Sequence, residues 1–250
     1  MRLALLSDIH GNSAALDAVL ADIAACGGVD GYRVLGDLVA IGPDPVGVLE
    51  RLDRLSNVEY LRGNTDRYVF AGDRPGPLLS NTVGDPAAIA TLVEVASTFA
   101  WTQGCLQVAG KLPWLESLPL ELRATLPDGT RWLGVHASPG RDDGPGFAPA
   151  MSDDEIVGRL ADCDADLVCA GHTHQPFERR VERWNVVNLG CISDPPGEER
   201  RASYVLLHAD AAGYRIEHRL VDYDRRAVVE ELRRIRHPGA DFIARKLLGS

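Results

Sequence analysis

The sequence predicts an α/β fold in which two mixed β-sheets pack face to face between flanking helices, giving a four-layer α-β-β-α sandwich. Two observations support this prediction. In the first 65 residues, short apolar runs typical of strands alternate with segments of helical periodicity, an order that indicates a mostly parallel sheet. After residue 120, short apolar runs separated by turn residues predict strands that are largely antiparallel. We expect one domain over residues 1–250 with a helical, cap-like insert at about 72–118.

The N-terminal part predicts a β-α-β-α-β unit with right-handed crossovers. Its three strands are predicted over residues 2–7, 32–35 and 58–61, and its two helices over about 15–23 and 45–55. Asp44 is the expected N-cap of the second helix. Each strand stops at a polar residue, namely Asp8, Asp37 or Asn64. Because sites in open α/β sheets form beyond the carboxyl ends of the strands, we expect these three residues to converge.

The predicted insert begins as a Gly- and Pro-rich surface loop over residues 72–86 and continues as a helical segment over about 86–118. Breaks in the helix are expected near Gly104 and Gly110. Trp101 and Trp114 are expected in the core rather than as a platform for substrate. We expect this insert to act as a cap that overhangs the site.

The second half of the chain predicts a hairpin and then a series of short strands. The hairpin strands cover residues 120–126 and 130–136, and the later strands cover 166–170, 177–182, 185–189, 202–208 and 213–220. Ser152 and Glu155 form a capping-box pattern that opens a helix to about residue 161. Asp222 is the expected cap of a last helix that ends at about residue 236.

The bulk composition excludes several classes of protein. A net charge of −10 predicts repulsion from a nucleic-acid backbone, so we expect no broad DNA- or RNA-binding platform. No apolar run approaches the ~20 residues of a membrane span, and the N-terminus lacks the pattern of a signal peptide. The odd number and the spacing of the five cysteines favour free thiols in a reducing cytoplasm. We therefore expect a cytoplasmic protein and leave its oligomeric state open.

Seven polar residues that follow predicted strands form a candidate metal site. They lie in five short motifs: Asp8-Ile9-His10, Gly36-Asp37, Gly63-Asn64, His136 and Gly171-His172-Thr173-His174. Mixed imidazole and carboxylate ligands suit Mn, Fe, Zn, Co or Ni better than calcium. Side chains two residues apart in an extended segment share a face, so each Asp-x-His or His-x-His pair can point at one centre. The remaining histidines, His208, His218 and His237, are interpreted as surface or structural residues.

The ordered set of motifs resembles the calcineurin-like metallophosphoesterase superfamily, and within it the compact prokaryotic phosphodiesterase-like branch. The resemblance runs from residue 3 to about residue 192. It includes the stretch from Gly36 to Pro45, the segment His136-Ala137-Ser138-Pro139 and the segment from Asn188 to Ile192. A single Asp-x-His motif would be weak evidence, whereas five motifs in order at predicted strand ends are specific.

The resemblance implies a site for two divalent or trivalent transition-metal ions. Asp8, His10 and His174 would bind one ion, whereas Asn64, His136 and His172 would bind the other. Asp37 would bridge both ions, so that Asp37, Asn64 and His136 are the predicted catalytic residues. A metal-bridging hydroxide would attack phosphorus in line with the leaving group, and no Ser or Cys nucleophile would be needed.

Three neighbouring residues carry alternatives that the sequence leaves open, and a fourth, Thr65, departs from the pattern of many relatives. Asn12 is predicted to bind substrate phosphate, or else to cap the first helix. Arg62 is predicted to bind a phosphate oxygen, or else to form a surface ion pair. Asp66 would orient a metal ligand or cap a short helix. Thr65 stands where many relatives have a histidine proposed to protonate the leaving group, which favours activated esters, diesters or anhydrides as substrates.

The predicted function is therefore the hydrolysis of a small phosphate ester or nucleotide, either a phosphodiester or an activated phosphomonoester. One alternative is a phosphoprotein or nucleotide phosphatase of the same superfamily, which would favour an open groove. Another alternative is a non-catalytic scaffold with the same fold. All seven ligand positions carry residues that can bind metal, which argues for an enzyme.

Overall fold

The computed structural model describes residues 1–77, 79–197 and 199–248. Residue 78 of the predicted loop, together with residues 198, 249 and 250 of the predicted domain, lies outside the described residues. The described strands are β1 (Arg2–Leu6), β2 (Gly31–Leu35), β3 (Val58–Leu61), β4 (Glu121–Thr125), β5 (Arg131–Val135), β6 (Leu167–Ala170), β7 (Phe177–Val181), β8 (Trp184–Asn188), β9 (Ala202–Asp210) and β10 (Gly213–Val221). The described α-helices are α1 (Ser13–Ala25), α2 (Pro45–Leu52), α3 (Asn64–Ala71), α4 (Pro86–Val108), α5 (Leu112–Glu116), α6 (Asp153–Leu160), α7 (Arg225–Arg234) and α8 (Ala240–Leu248).

The first sheet has the strand order β10-β9-β1-β2-β3. The strands β1, β2 and β3 are parallel, with α1 and α2 as the crossovers, so the predicted β-α-β-α-β unit is confirmed. Strand β9, from the C-terminal part of the chain, pairs antiparallel with β1. Strand β10 pairs with the other edge of β9 and extends the sheet. The carboxyl ends of β1, β2 and β3 therefore meet at one edge.

The second sheet has the order β4-β5-β6-β8-β7. The hairpin of β4 and β5 is antiparallel, as predicted, and so is the pair of β7 and β8. Strand β8, however, pairs parallel with β6, which corrects the prediction that the later strands are antiparallel. The cause is that the chain passes from β6 to the edge position as β7 and returns as β8 beside β6.

Three apolar clusters separate the four layers. The side chains of β1 alternate between two of these clusters. Ala4 and Leu6 face the helices, whereas Leu3 and Leu5 face the second sheet. Trp132 is the largest fully buried side chain between the two sheets. Ile156 of α6 packs against the outer face of the second sheet. The predicted sandwich is confirmed, and it aligns the carboxyl ends of parallel strands from both sheets.

The insert and the C-terminal region differ from prediction in three places. Helix α4 runs without a break through Gly104, where an added Cβ would meet open space, and ends before Gly110. Helix α7 is capped by Asp224 rather than Asp222, because the side chain of Asp224 accepts from the Ala227 N–H at 3.0 Å. The final helix α8 was not predicted at all. The assignment of residues 1–250 to one domain remains a prediction.

Helix α4 packs into the same core as the N-terminal unit. Its residues Val95, Phe99 and Leu106 are buried there. Helices α7 and α8 pack on each other through Val228, Leu232 and Leu247, among others. Within the described ranges, no helix combines the length and apolar character that a bilayer span requires.

Candidate metal centre

The structure brings all seven predicted ligand side chains together where parallel strands of both sheets end. Asp8 and His10 follow β1, Asp37 follows β2, and Asn64 begins α3 after β3. From the second sheet, His136 follows β5, and His172 and His174 follow β6. Asp8 and His136 are fully buried, and no member of the set is exposed.

The backbone bends sharply at most of these residues. Five of them have a left-handed backbone with φ between 51° and 68°: Asp8, His10, Asp37, His172 and His174. This conformation is uncommon for residues other than glycine and costs of order 1–3 kcal/mol each. Glycines let the loops come close, since a Cβ on Gly63 would lie 2.0 Å from Asp37 Oδ1. The fold therefore holds these residues in place at a cost to local stability.

One half of the centre contains Asp8, His10 and His174. The Nε2 atom of His174 lies 3.2 Å from Asp8 Oδ1 and 3.2 Å from His10 Nε2. Asp8 Oδ1 is buried and accepts no hydrogen bond from any described residue. Asp37 reaches the same half, because its Oδ2 lies 3.7 Å from His10 Nε2.

The other half contains Asn64, His136 and His172. Asn64 Oδ1 lies 3.0 Å from His136 Nε2 and 3.0 Å from His172 Nδ1. The second oxygen of Asp37, Oδ1, lies 3.4 Å from His136 Nε2. The carboxylate of Asp37 thus faces both halves, one oxygen to each.

Each histidine has its outer ring nitrogen bound to an acceptor. His10 Nδ1 donates to the Ala40 carbonyl, and His136 Nδ1 donates to the Leu35 carbonyl at 2.8 Å. His172 Nε2 donates to the Gly144 carbonyl at 2.7 Å, and His174 Nδ1 donates to Asp194.

In the neutral ring the other nitrogen then carries a lone pair, which points into the centre. Inward lone pairs, carboxylate oxygens and an amide oxygen are all acceptors, and such a set fits cations.

The electrostatics of the centre agree with this chemistry. Burial alone would raise the pKa of Asp37, but the charge of His136 and its contact with Asp37 outweigh burial and hold that pKa below the usual range. Burial alone would lower the pKa of His136, but the Asp37 carboxylate raises it to about 10. The buried carboxylates therefore create a field that stabilises positive charge, whether proton or metal.

Asp66 connects two of the ligand loops. It is fully buried, and its carboxylate accepts from the Leu38 N–H at 3.0 Å and from the Gly63 N–H at 2.9 Å. Burial, followed by the nearby Asp37 charge, raises the pKa of Asp66 to about 7. Of the two predicted alternatives, these contacts support the role of helix cap. The same contacts also fix the backbone beside Asp37.

The two predicted substrate-binding residues, Asn12 and Arg62, have partners of their own, and neither lines the cavity over the centre. Asn12 is buried, and it caps α1 by accepting from the Ala15 N–H at 3.1 Å. Arg62 pairs with Asp142 at 3.3 Å. These positions favour the alternatives, a helix cap and an ion pair, and give no support to substrate binding by either residue.

A cavity of about 280 Å³ opens over the centre. Its floor includes His10, Asp37, Asn64, His172 and His174. Its walls come from the loop at Pro75 and Gly76, from α4 through Val95, Thr98 and Phe99, and from α8 through Phe242 and Lys246. Ile41, Thr65 and Asp194 complete the lining.

Sequence reasoning missed Asp194 and Lys246. Asp194 Oδ1 lies 3.2 Å from His174 Nδ1, and its Oδ2 lies 3.0 Å from Lys246 Nζ. Asp194 and Cys191 also form a group with His10 and His174 whose donor atoms are close enough to hold a metal ion. The only signal for Asp194 in the sequence was its position two residues after Ile192, the end of a motif segment.

Three comparisons with known proteins bear on this site. The family model for the calcineurin-like phosphoesterase superfamily domain matches residues 1–212. The chain is 27% identical over 251 residues to the uncharacterized protein MJ0912 of Methanocaldococcus jannaschii, covering 94% of this chain and 93% of that protein.

Two crystal structures are similar over nearly the whole chain. The metallophosphoesterase from Sphaerobacter thermophilus is 25% identical with a TM-score of 0.76, covering 99% of this chain and 98% of that one. The hypothetical protein PH1004 from Pyrococcus horikoshii OT3 is 24% identical with a TM-score of 0.81, covering 98% and 97%. The second likeness concerns the fold alone.

Proposed function

Because the chain belongs to the calcineurin-like phosphoesterase superfamily, we propose that it hydrolyses small phosphate esters with two metal ions held by the seven converging side chains. The observation that carries this proposal is the arrangement of acceptor atoms in two groups that share Asp37. Asp8, His10 and His174 would hold one ion, and Asn64, His136 and His172 the other. Asp37 would contact both.

Two bound ions of Mn, Fe, Zn, Co or Ni would supply hydroxide at neutral pH and stabilise negative charge on the phosphoryl oxygens. The chain's own residues position these parts. Asn64 lines the cavity, and its amide oxygen lies between the imidazoles of the fully buried His136 and of His172. The backbone N–H of Thr65 donates to Asp37 Oδ1 at 2.9 Å and so fixes the shared carboxylate.

The substrate class follows from the cavity. A pocket of about 280 Å³ enclosed by α4 and α8 suits a small ester, either a diester or an activated monoester. A phosphoprotein phosphatase needs a surface that admits a polypeptide, and the walls from α4 and α8 disfavour that alternative. The scaffold alternative is disfavoured because every ligand position is filled by a residue with an acceptor aimed inward. Five free cysteines fit a reducing compartment, and we include a cytoplasmic location in the proposal.

The test is metal removal and return. Bis(4-nitrophenyl) phosphate is the substrate, and its hydrolysis is followed before EDTA treatment, after it, and after addition of Mn²⁺. We expect hydrolysis to be abolished by EDTA and restored by Mn²⁺. His208→Ala is the matched control, since His208 pairs with Glu217 outside the centre and its loss leaves the rate unchanged. Undiminished hydrolysis after complete metal removal contradicts the proposal.

A further inference from the structure

The cavity over the metal centre has two chemically different parts. Its floor is formed by the metal-binding side chains, whereas the walls that face them are mainly apolar. Four of the wall residues are large and apolar: Ile41, Val95, Phe99 and Phe242. Val95 is 6% exposed and Phe99 is 2% exposed, so α4 presents a fixed surface. An apolar surface opposite a polar floor fits a ligand with a charged end and an apolar end.

Lys246 is the only lysine or arginine among the described residues that line this cavity. Its Nζ lies 3.0 Å from Asp194 Oδ2, and Asp194 in turn contacts His174. The Lys246 side chain is 45% exposed, so its ion pair with Asp194 is only partly shielded from water. Its ammonium has three N–H donors, so those that do not face Asp194 can bind a phosphate oxygen.

The size of the cavity restricts the apolar end. A volume of about 280 Å³ lies just below the range of about 300–1,000 Å³ that is typical of pockets for drug-sized ligands. This volume suits one ring attached to a phosphate.

We propose that the cavity selects phosphate esters that carry an apolar ring, with one ring against Val95, Phe99 and Phe242 and with Lys246 binding the phosphate. This inference rests on the proposed function, because it assigns the phosphorus to the metal-binding floor. To the proposed function this inference adds a class of substrate, with α4 and α8 as the helices that select it.

The test measures equilibrium binding rather than turnover. Phenylphosphonate and methylphosphonate carry the same charged group, and neither has an ester bond to hydrolyse. Calorimetric titration of each into the Mn²⁺-loaded protein gives two dissociation constants. We expect phenylphosphonate to bind about 10-fold more tightly, because its ring is buried against the walls.

Variants of the two walls separate the ring contacts from the phosphate contact. Phe242→Ala reduces the advantage of the phenyl group to about 3-fold and leaves methylphosphonate binding unchanged. Val95→Phe, which fills the cavity from α4, tests the ring site independently and weakens only phenylphosphonate. Lys246→Gln weakens both phosphonates by a similar factor, about 5-fold. Arg245→Gln is the matched control on α8, since Arg245 pairs with Glu94 instead of lining the cavity, and its affinities match the original.

The outcomes separate this inference from the proposed function. Equal affinity for the two phosphonates, together with metal-dependent hydrolysis of bis(4-nitrophenyl) phosphate, overturns the ring site and leaves the proposed function standing. Unchanged binding in Lys246→Gln overturns the role of that residue. Absence of both phosphonate binding and hydrolysis in the metal-loaded protein overturns the proposed function and this inference with it.

Discussion

The Nε2 atoms of His10 and His174 lie 3.2 Å apart, although the Nδ1 atom of each ring already donates to an acceptor outside the centre. Two neutral imidazoles held in this way turn lone pairs toward each other. Such an arrangement is stable only if a positive charge lies between the rings or on one of them. The two rings therefore favour a ligand that carries positive charge, such as a metal ion.

Asp37→Asn should weaken both metal sites together. The amide keeps the size of the side chain and an acceptor for the Thr65 N–H, but it removes the charge that faces both halves. We expect both affinities to fall more than about 10-fold, as measured by calorimetric titration of the EDTA-treated protein with Mn²⁺. Asp142→Asn is the control, because Asp142 is also buried but pairs with Arg67 away from the centre. Loss of one ion alone would contradict the shared role of Asp37.

Asp194→Ala should weaken mainly the site that contains His174. The Asp194 carboxylate lies 3.2 Å from His174 Nδ1, next to the Asp194 backbone carbonyl, which accepts from the same nitrogen and stays in the alanine variant. Contacts that orient a metal-bound histidine are typically worth about 10- to 100-fold in metal affinity, so we expect a loss near the lower end, about 10-fold. The same titration should show one weakened site and one that is unaffected. Lys246→Gln removes the contact between Asp194 and Lys246 and keeps the contact between Asp194 and His174, so it should leave both metal affinities unchanged. Equal weakening of both sites in Asp194→Ala would indicate a general structural role instead.

His237 should make the folded protein sensitive to mild acid. It is 4% exposed, and burial lowers its pKa to about 4, from the value of about 6.5 expected in the unfolded chain. Its contribution to stability is therefore complete above pH 6.5 and is lost as the pH falls toward 4, because only the unfolded chain takes up the proton there.

The full loss amounts to roughly 3 kcal/mol in the free energy of unfolding. Urea unfolding of EDTA-treated protein at pH 7.5 and pH 5 measures the part of this loss that falls within that pH range, roughly 2 kcal/mol, without interference from metal release. His237→Gln should lose less stability on acidification than the original protein. His208→Gln, at a partly exposed position, should behave like the original. An identical acid response in His237→Gln would show that other groups dominate.

The leaving group should control the rate more strongly than usual. Thr65 occupies the position where a proton donor is expected, and its hydroxyl is a poor acid. Esters with poor leaving groups therefore lose the increase in rate, about 10²–10⁴-fold, that proton transfer usually gives. We expect aryl phosphates to be hydrolysed far faster than alkyl phosphates at equal concentration, and Thr65→His to narrow that ratio. Equal rates on both classes in the original protein would argue for a different acid.

The sequence contained enough information for the floor of the site but not for its walls. Asp8, Asp37 and Asn64 each stop an apolar run, and parallel strands bring such residues to one edge. Lys246 lies more than 180 residues away from them in the chain, on a helix whose position depends on tertiary packing against α7 and Ile41. No periodicity within the C-terminal residues indicates where that helix lies. The parallel pairing of β8 with β6 was not predicted for the same reason, since the neighbours of β8 depend on where β7 lies in the sheet.

The left-handed backbone at Asp8, His10, Asp37, His172 and His174 also bears on how an inactive form of the protein is best made. Alanine at any of these positions removes the ligand but keeps the unfavourable torsion, whereas glycine removes both. A glycine replacement therefore gives the better inert control, because loss of turnover is then less readily confused with a weakened fold. For the same reason, short peptides copied from these loops will relax into other shapes and will not reproduce the affinity of the intact protein for its ions.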